Sequence, residues 1–152
     1  MQRADKRIRA ATGFGISLLL GRRPVSVIDE PEMCLHPPQA YNLGKFIGRF
    51  ATSPETATFV ATHSSHILRG VIQVSNAIQI VRMTRNSSGF SAHYVESSIL
   101  REALKKPTVR AETILDGIFS QGVAVVEGDS DRTVYQSCWE AINDKFNLDI
   151  HF

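Results

Sequence analysis

Two adjacent acids, Asp29 and Glu30, follow an apolar run that begins at Val25. The β-branched residues of this run leave little polar face, so it predicts a buried strand over residues 25–29. Such a strand fixes both carboxylates at one edge of a sheet, which is where open α/β folds place their ligands. One carboxylate can hold Mg²⁺, usually through water, and the second can polarise a water molecule that attacks a phosphate. An apolar run before Asp-Glu is a weak signal alone, because many buried strands end in a solvated acid.

A histidine stands at the end of a second predicted strand. Residues 58–62 form a run that His63 follows directly, and Ser64-Ser65 then offers an N-cap to a short helix. About 34 residues separate Asp29 from His63, which is enough for one helix and a right-handed return to a parallel neighbouring strand. We therefore expect the polar ends of both strands at one edge of the sheet. A lone histidine after a strand is more often structural, and the pairing with the acids favours a functional role for His63.

A third group of acids follows the apolar run that starts at Gly122. The run ends in Glu127, Gly128 comes next, and Asp131 lies at the start of a predicted helix. Gly128 lets the chain turn sharply after the strand. We expect Glu127 and Asp131 to lie near one another, where they suit part of a Mg²⁺ site or general acid–base chemistry. The alternative is a surface acid that caps a helix, because a strand followed by Glu-Gly is common.

Apolar β-type runs alternate with helical patterns along the chain, which predicts an α/β fold with a mostly parallel sheet and flanking helices. The exception is a hairpin around the turn at residues 86–89, whose spacing and chemistry join two antiparallel strands. A junction expected near residues 107–121 divides the chain into domains 1–108 and 109–152. The predicted strands cover residues 25–29, 58–62, 77–84, 90–96, 123–127 and 148–152. The predicted helices cover about residues 38–51, 65–72, 99–105, 109–119 and 131–145.

Composition excludes some classes of protein. The chain has 152 residues, of which 43% are hydrophobic and 21% charged, and this is typical of a soluble globular domain. No stretch approaches the roughly 18 to 20 apolar residues of a membrane span, so no membrane partner is expected. Cys34 and Cys138 lack metal-ligand spacing and are expected to be reduced thiols in a cytoplasmic protein. His36 and His66 are expected to be structural.

Residues 27–37, Val-Ile-Asp-Glu-Pro-Glu-Met-Cys-Leu-His-Pro, resemble a stretch of a known family. The stretch is the "DEPE…LHP" motif in the ATPase domains of overcoming-lysogenization-defect (OLD) nucleases and of related SMC-like and ABC-type ATPases. The resemblance implies that Asp29 is the Walker B ligand of Mg²⁺ and that Glu30 is catalytic. It also implies that His63 is the switch histidine, which contacts the γ-phosphate of ATP and contributes to catalysis.

An earlier segment, Thr-Gly-Phe-Gly-Ile-Ser at residues 12–17, resembles the degenerate signature motif of the same ATPases. In the family this motif crosses a dimer interface and reaches the partner's nucleotide through backbone amides and a helix N-terminus. The resemblance implies that Gly13, Gly15 and Ser17 bind nucleotide. About eleven residues lie between Ser17 and Asp29, where the family usually has a longer helix. A glycine-rich turn without this function is the alternative.

Residues 122–132 resemble the opening of a Toprim domain, the fold shared by type II topoisomerases, primases and OLD nucleases. Residues 111–119 are similar to the segment that precedes this opening in OLD proteins. The resemblance implies that Glu127 is catalytic and that Glu127 and Asp131 hold Mg²⁺. A Toprim metal site also needs a later Asp-x-Asp at a strand end, so these two acids are expected to be half of the site.

Taken together, the resemblances imply an ATP-binding DNA endonuclease of OLD type, in which a partial ABC-type P-loop NTPase domain precedes the first β-α elements of a Toprim domain. The implied cofactors are ATP and Mg²⁺. The implied assembly is a homodimer or higher oligomer, and the implied partner is DNA. The implied role is phage defence or DNA repair. The sequence contains no Gly-x-x-x-x-Gly-Lys-[Ser/Thr] loop, so this chain alone is expected to be a poorly active fragment. The alternative is a catalytically incomplete module that assembles with a partner supplying the missing motifs. An ABC transporter subunit is a weaker alternative, because the Toprim-like segment and the Pro-Glu after the acids count against it.

Overall fold

The computed structural model describes residues 24–51, 55–87, 89–105, 111–146 and 148–152. The described strands are β1 (Val25–Asp29), β2 (Ala57–Ala61), β3 (Ile80–Asn86), β4 (Gly89–Val95), β5 (Gly122–Val123) and β6 (Ile150–His151). The described helices are α1 (Pro37–Phe50), α2 (Ser65–Val74), α3 (Ser97–Lys105), α4 (Ala111–Phe119) and α5 (Asp129–Asn143). The chain divides into two compact units, the first ending at Ile78 and the second beginning at Gln79. The predicted domain division at residues 108 and 109 stays a prediction.

The first unit contains a parallel pair of strands. β1 and β2 pair in register from Val25 opposite Ala57 to Asp29 opposite Ala61, which confirms the predicted parallel pairing. The predicted burial of β1 is found on only one of its faces. Ile28 is 8% exposed, whereas Val25 is 54% and Val27 77% exposed. Because side chains alternate along a strand, burial of the face that carries Ile28 leaves the other face open.

Helices α1 and α2 of the first unit pack closely against each other. Their buried positions recur at helical spacing and are Ala40, Gly44, Ile47 and Gly48 on α1 and Ile67, Gly70 and Ile72 on α2. A Cβ atom added to Gly44 would lie 2.3 Å from the carbonyl oxygen of Ile67, and one added to Gly70 would lie 2.2 Å from that of Tyr41. The two backbones therefore touch at a point where no larger residue fits. Beside this contact the Tyr41 hydroxyl donates a hydrogen bond to the side-chain oxygen of Gln73.

The second unit begins with the predicted hairpin. β3 and β4 pair antiparallel from Ile80 opposite Val95 to Asn86 opposite Gly89, and Gly89 has a φ of +135° that favours glycine. The helices that follow bury Leu100 and Leu115, which are 7% and 0% exposed. In this unit the structure confirms the hairpin and the helical segments at 97–105 and 111–119.

The last strand pair is shorter than predicted. β5 and β6 are parallel and pair only Gly122 with Ile150 and Val123 with His151. The predicted strand over residues 123–127 is wrong, because residues 124–126 are not in a strand. The Ala124 amide still donates a hydrogen bond to the carbonyl oxygen of His151 at 2.7 Å. Beyond that bond the segment pairs with no strand of the described residues, and an extended segment counts as a strand only where it is paired.

The molecule is a mixed α/β protein built from small sheets. Within the described residues the strands form three two-stranded sheets, two parallel and one antiparallel, and do not join into the one mostly parallel sheet that the sequence predicts. Cys34 and Cys138 are free and exposed. Across the described part of the chain, no helix is long and apolar enough to cross a membrane.

Candidate functional site

The carboxyl ends of β1 and β2 meet at one edge of the first unit. The strand pairing extends one step beyond Asp29, because the Glu30 amide donates to the carbonyl oxygen of Ala61 at 2.9 Å. His63 follows two residues after that carbonyl. The expected convergence of the acids and the histidine is therefore confirmed. Asp29 is exposed, and the side chains of Glu30 and His63 are 48% and 73% exposed, so all three are open to a ligand.

Glu30 and His63 are in direct contact. Oε1 of Glu30 lies 3.3 Å from Nδ1 of His63, a separation at which a carboxylate orients an imidazole. Glu30 has a left-handed backbone with φ of 42°, which is uncommon for a residue other than glycine. Such a conformation disfavours the residue by about 1–2 kcal/mol and is found most often at functional sites. The unusual backbone directs the chain out of β1 at the point where the carboxylate meets His63.

A turn over residues 31–34 brings a second glutamate back to the end of β2. The turn is closed by two backbone hydrogen bonds, from Met33 N–H to Glu30 C=O at 3.0 Å and from Leu35 N–H to Glu32 C=O at 2.8 Å. Oε1 of Glu32 accepts hydrogen bonds from the Thr62 hydroxyl at 2.6 Å and from the His63 amide at 3.2 Å. The same oxygen lies 3.6 Å from Nδ1 of His63. His63 is therefore flanked by two carboxylates, one exposed and one buried.

Glu32 is the residue of this site that sequence reasoning missed. It is 9% exposed, and its second oxygen, Oε2, is buried without a hydrogen-bond partner among the described residues. An unsatisfied buried oxygen costs about 1–3 kcal/mol, so a native structure that keeps one invites a functional explanation. The only signal in the sequence is the position of Glu32, directly after Asp-Glu-Pro. An acid at that position is normally expected in solvent, and its burial depends on the turn that follows.

Glu30, Glu32 and His63 border a pocket of about 480 Å³. The N-terminus of α2 forms another part of its wall, where Ser64 caps the helix and accepts a hydrogen bond from the Ile67 amide at 3.4 Å. Free backbone amides at a helix N-terminus favour a bound anion such as phosphate. His66 lines the pocket, and His36, outside it, is the N-cap of α1. The full lining consists of Glu30, Glu32, Met33, Cys34, Leu35, Pro37, Ala40, His63, Ser64, Ser65 and His66.

The acids of the second unit lie at the start of α5. Gly128 is the N-cap of this helix, and Asp131 lies in its first turn, where a negative charge is favoured. Glu127 and Asp131 are both exposed. No cluster of three or more His, Cys, Asp or Glu residues that could hold a metal ion occurs within the described ranges. The predicted nucleotide-binding residues Gly13, Gly15 and Ser17 lie outside the residues that the structure describes.

Comparison with known proteins gives weak structural likeness to solved structures. No protein-family model and no curated protein matches the sequence. A solved structure described as "Structural biochemistry of ATP-driven dimerization and DNA stimulated activation of SMC ATPases" is similar, with 17% identity and a TM-score of 0.47. The match covers 64% of this chain, and the chain spans about 60% of the length of that SMC ATPase chain. A likeness of this degree identifies neither the family nor the function.

Proposed function

We propose that this chain supplies the Walker B and switch-histidine side of an ATP site in an ABC-type, SMC-like ATPase. One observation carries the proposal: Glu30 and His63, at the carboxyl ends of two parallel strands, are in contact at 3.3 Å. They border a pocket whose wall includes a helix N-terminus. A carboxylate, an imidazole and free backbone amides are together suited to a phosphate group and to the water that attacks it.

The two residues have different roles in this proposal. Glu30 polarises the water molecule that attacks the γ-phosphate, and its 48% exposed side chain is open to that water. His63 presents Nδ1 to the carboxylate, which leaves Nε2 to contact the γ-phosphate. A hydrogen bond from Nε2 would offset negative charge on the phosphate.

Asp29 is the proposed ligand of Mg²⁺. A carboxylate oxygen is the type of donor that this ion prefers, and Asp29 is exposed beside Glu30 at the sheet edge, so the residue fits the ion. When bound, Mg²⁺ would neutralise charge on the nucleotide phosphates. Gly13, Gly15 and Ser17 are proposed to bind the nucleotide of a partner subunit, which makes the active unit a homodimer or higher oligomer.

The second unit extends the proposal to an OLD-type DNA endonuclease. The Toprim-like sequence from Gly122 to Asp131 supports it, together with the exposed positions of Glu127 and Asp131 around the start of α5. There the two acids are accessible to Mg²⁺ and to a DNA backbone. ATP binding and hydrolysis would control the nuclease, in phage defence or DNA repair.

A second candidate function is a non-catalytic module that assembles with a partner. It is favoured by one observation, that the sequence contains no Gly-x-x-x-x-Gly-Lys-[Ser/Thr] loop to hold the phosphates. Under this alternative the chain binds a protein that carries the loop, and turnover belongs to the complex. The 152-residue chain alone is expected to hydrolyse ATP at a negligible rate under either proposal.

ATP turnover by the full gene product that carries this sequence tests the proposal. Glu30→Gln and His63→Ala are each expected to lower kcat by about 10²- to 10⁴-fold, the usual contribution of general acid–base groups. Glu55→Gln is the matched control, because Glu55 is an exposed carboxylate at the amino end of β2. Turnover that survives in both site variants at the control rate would refute the assignment of these residues.

A further inference from the structure

The buried glutamate in the turn after β1 has no assigned role in the proposed ATP site. Glu32 lines the pocket but is 9% exposed, and its hydrogen bonds go to protein groups. Its Oε1 accepts from the Thr62 hydroxyl at 2.6 Å and from the His63 amide at 3.2 Å. Burial of a carboxylate is unfavourable, and more so when Oε2 has no hydrogen-bond partner in the part of the chain that the structure describes. The role of Glu32 therefore lies with the residues that it holds.

Those residues form the link between β2 and α2. The Thr62 hydroxyl donates to Glu32 and accepts a hydrogen bond from the Ser64 amide at 3.0 Å. Ser64 in turn caps α2 through the Ile67 amide. One buried oxygen of Glu32 thus anchors three consecutive residues, Thr62 to Ser64, with His63 in the middle.

The His63 side chain cannot hold its own position by packing, because it is 73% exposed. Its placement depends on its backbone and on the two carboxylates beside Nδ1, Glu30 at 3.3 Å and Glu32 at 3.6 Å. Glu30 is itself half exposed and is assigned to the attacking water. Glu32 is therefore the fixed member of the group.

We propose that Glu32 is a positioning residue, whose buried carboxylate holds the His63 backbone so that the imidazole meets Glu30. The inference rests on the proposed function only where it predicts turnover; the placement of His63 is testable without ATP. Hydrogen bonds from Thr62 and His63 carry the effect, so an amide oxygen at position 32 can replace the carboxylate. Alanine at position 32 has no side-chain oxygen and cannot accept these hydrogen bonds.

Histidine side-chain NMR on the 152-residue chain tests the placement. With ¹⁵N-labelled histidine, and the His63 signals assigned through His63→Ala, Glu32→Ala is expected to shift the His63 imidazole signals toward those of an unstructured histidine. Glu32→Gln is expected to keep the native signals, and Glu55→Ala serves as the exposed control. If Glu32→Ala does not fold, Thr62→Val removes one donor, keeps the side-chain shape, and is expected to shift His63 in the same direction.

ATP turnover by the full gene product provides the second readout. Glu32→Ala is expected to lower kcat by about 10- to 100-fold, as for other groups that orient a functional side chain, with a much smaller change in KM for ATP. Glu32→Gln is expected to stay within about threefold of wild type on the same reasoning. The positioning role would be overturned if Glu32→Ala kept the native His63 signals. It would also be overturned if Glu32→Gln and Glu32→Ala lowered kcat equally. If His63→Ala leaves turnover intact while Glu32→Ala still displaces His63, the proposed function fails and the positioning role stands.

Discussion

Two residues that line the pocket have left-handed backbones. Glu30 has a φ of 42° and Cys34 a φ of 68°, and they bracket the turn that buries Glu32. Neither residue is glycine, so each conformation is unfavourable by about 1–2 kcal/mol. The surrounding hydrogen bonds, from Met33 to Glu30 and from Leu35 to Glu32, hold the turn in this form. Local strain is thus retained where it brings two carboxylates to one histidine.

Cys34 offers a direct test of this strain. Cys34→Gly removes the steric penalty and is expected to leave the free energy of unfolding unchanged or raise it by up to about 1 kcal/mol, because glycine also gains entropy in the unfolded chain. Cys34→Val is expected to lower it by about 1–2 kcal/mol, since a β-branched residue fits this backbone poorly. Urea denaturation measures both changes.

The matched control is the other exposed cysteine. Cys138 lies within α5, where glycine is unfavourable, so Cys138→Gly is expected to lower the free energy of unfolding by about 0.5–1 kcal/mol. An equal loss in Cys34→Gly would show that the backbone at Cys34 is not strained.

At the scale of elements, the site depends on how α1 and α2 cross. α2 carries Ser65 and His66 at its N-terminus, and its backbone touches that of α1 at Gly44 and Gly70. The helix α2, whose N-terminus lines the pocket, is therefore fixed by a contact between two glycines. Because backbone atoms close this contact, it has no side chain that can move aside.

Alanine at these glycines is expected to destabilise the first unit. An added Cβ would lie 2.3 Å from Ile67 C=O in Gly44→Ala and 2.2 Å from Tyr41 C=O in Gly70→Ala. We expect each change to lower the free energy of unfolding by about 1–3 kcal/mol in urea denaturation, although alanine is the better helix former. Gly48→Ala is a milder comparison, because the nearest atom is a Val74 methyl group at 2.7 Å and the nearest backbone atom, the Val71 carbonyl oxygen, lies at 3.1 Å. Losses no larger than that of Gly48→Ala would contradict the close crossing.

Sequence patterns predicted the elements best where a local signal marks their ends. Ser64 marked the start of α2, and the turn at residues 86–89 marked the hairpin. The apolar run after Gly122 gave a false strand beyond Val123, because a strand needs a partner and β6 pairs with only two residues. Burial of β1 was also overestimated, since a β-branched run does not reveal which of its faces is covered.

At the scale of the whole molecule, two proposed half-sites lie in two compact units. The acids and the histidine of the first were predictable from motif order and spacing, since parallel strands bring their carboxyl ends together. Glu32 was not predictable, because its burial follows from the left-handed turn at Glu30 and Cys34. The Mg²⁺ roles of Glu127 and Asp131 stay predictions.

Plasmid nicking tests the second half-site. The full gene product is expected to nick supercoiled DNA in the presence of Mg²⁺, and Glu127→Gln or Asp131→Asn is expected to lower the rate by at least about 10²-fold. Asp144→Asn is the control, because Asp144 is an exposed acid at the other end of α5. Robust Mg²⁺-dependent cleavage by the 152-residue chain alone would contradict the claim that these acids are half of a site.

The central claim is that Glu30 acts on bound ATP and is not needed to bind it. The most direct measurement is the identity of the nucleotide that the full gene product retains after incubation with Mg²⁺ and ATP and rapid removal of free nucleotide. Glu30→Gln is predicted to retain ATP, while wild type and Glu55→Gln retain mainly ADP. The same ratio of ADP to ATP in Glu30→Gln as in wild type would contradict the claim, because hydrolysis would then proceed without the carboxylate.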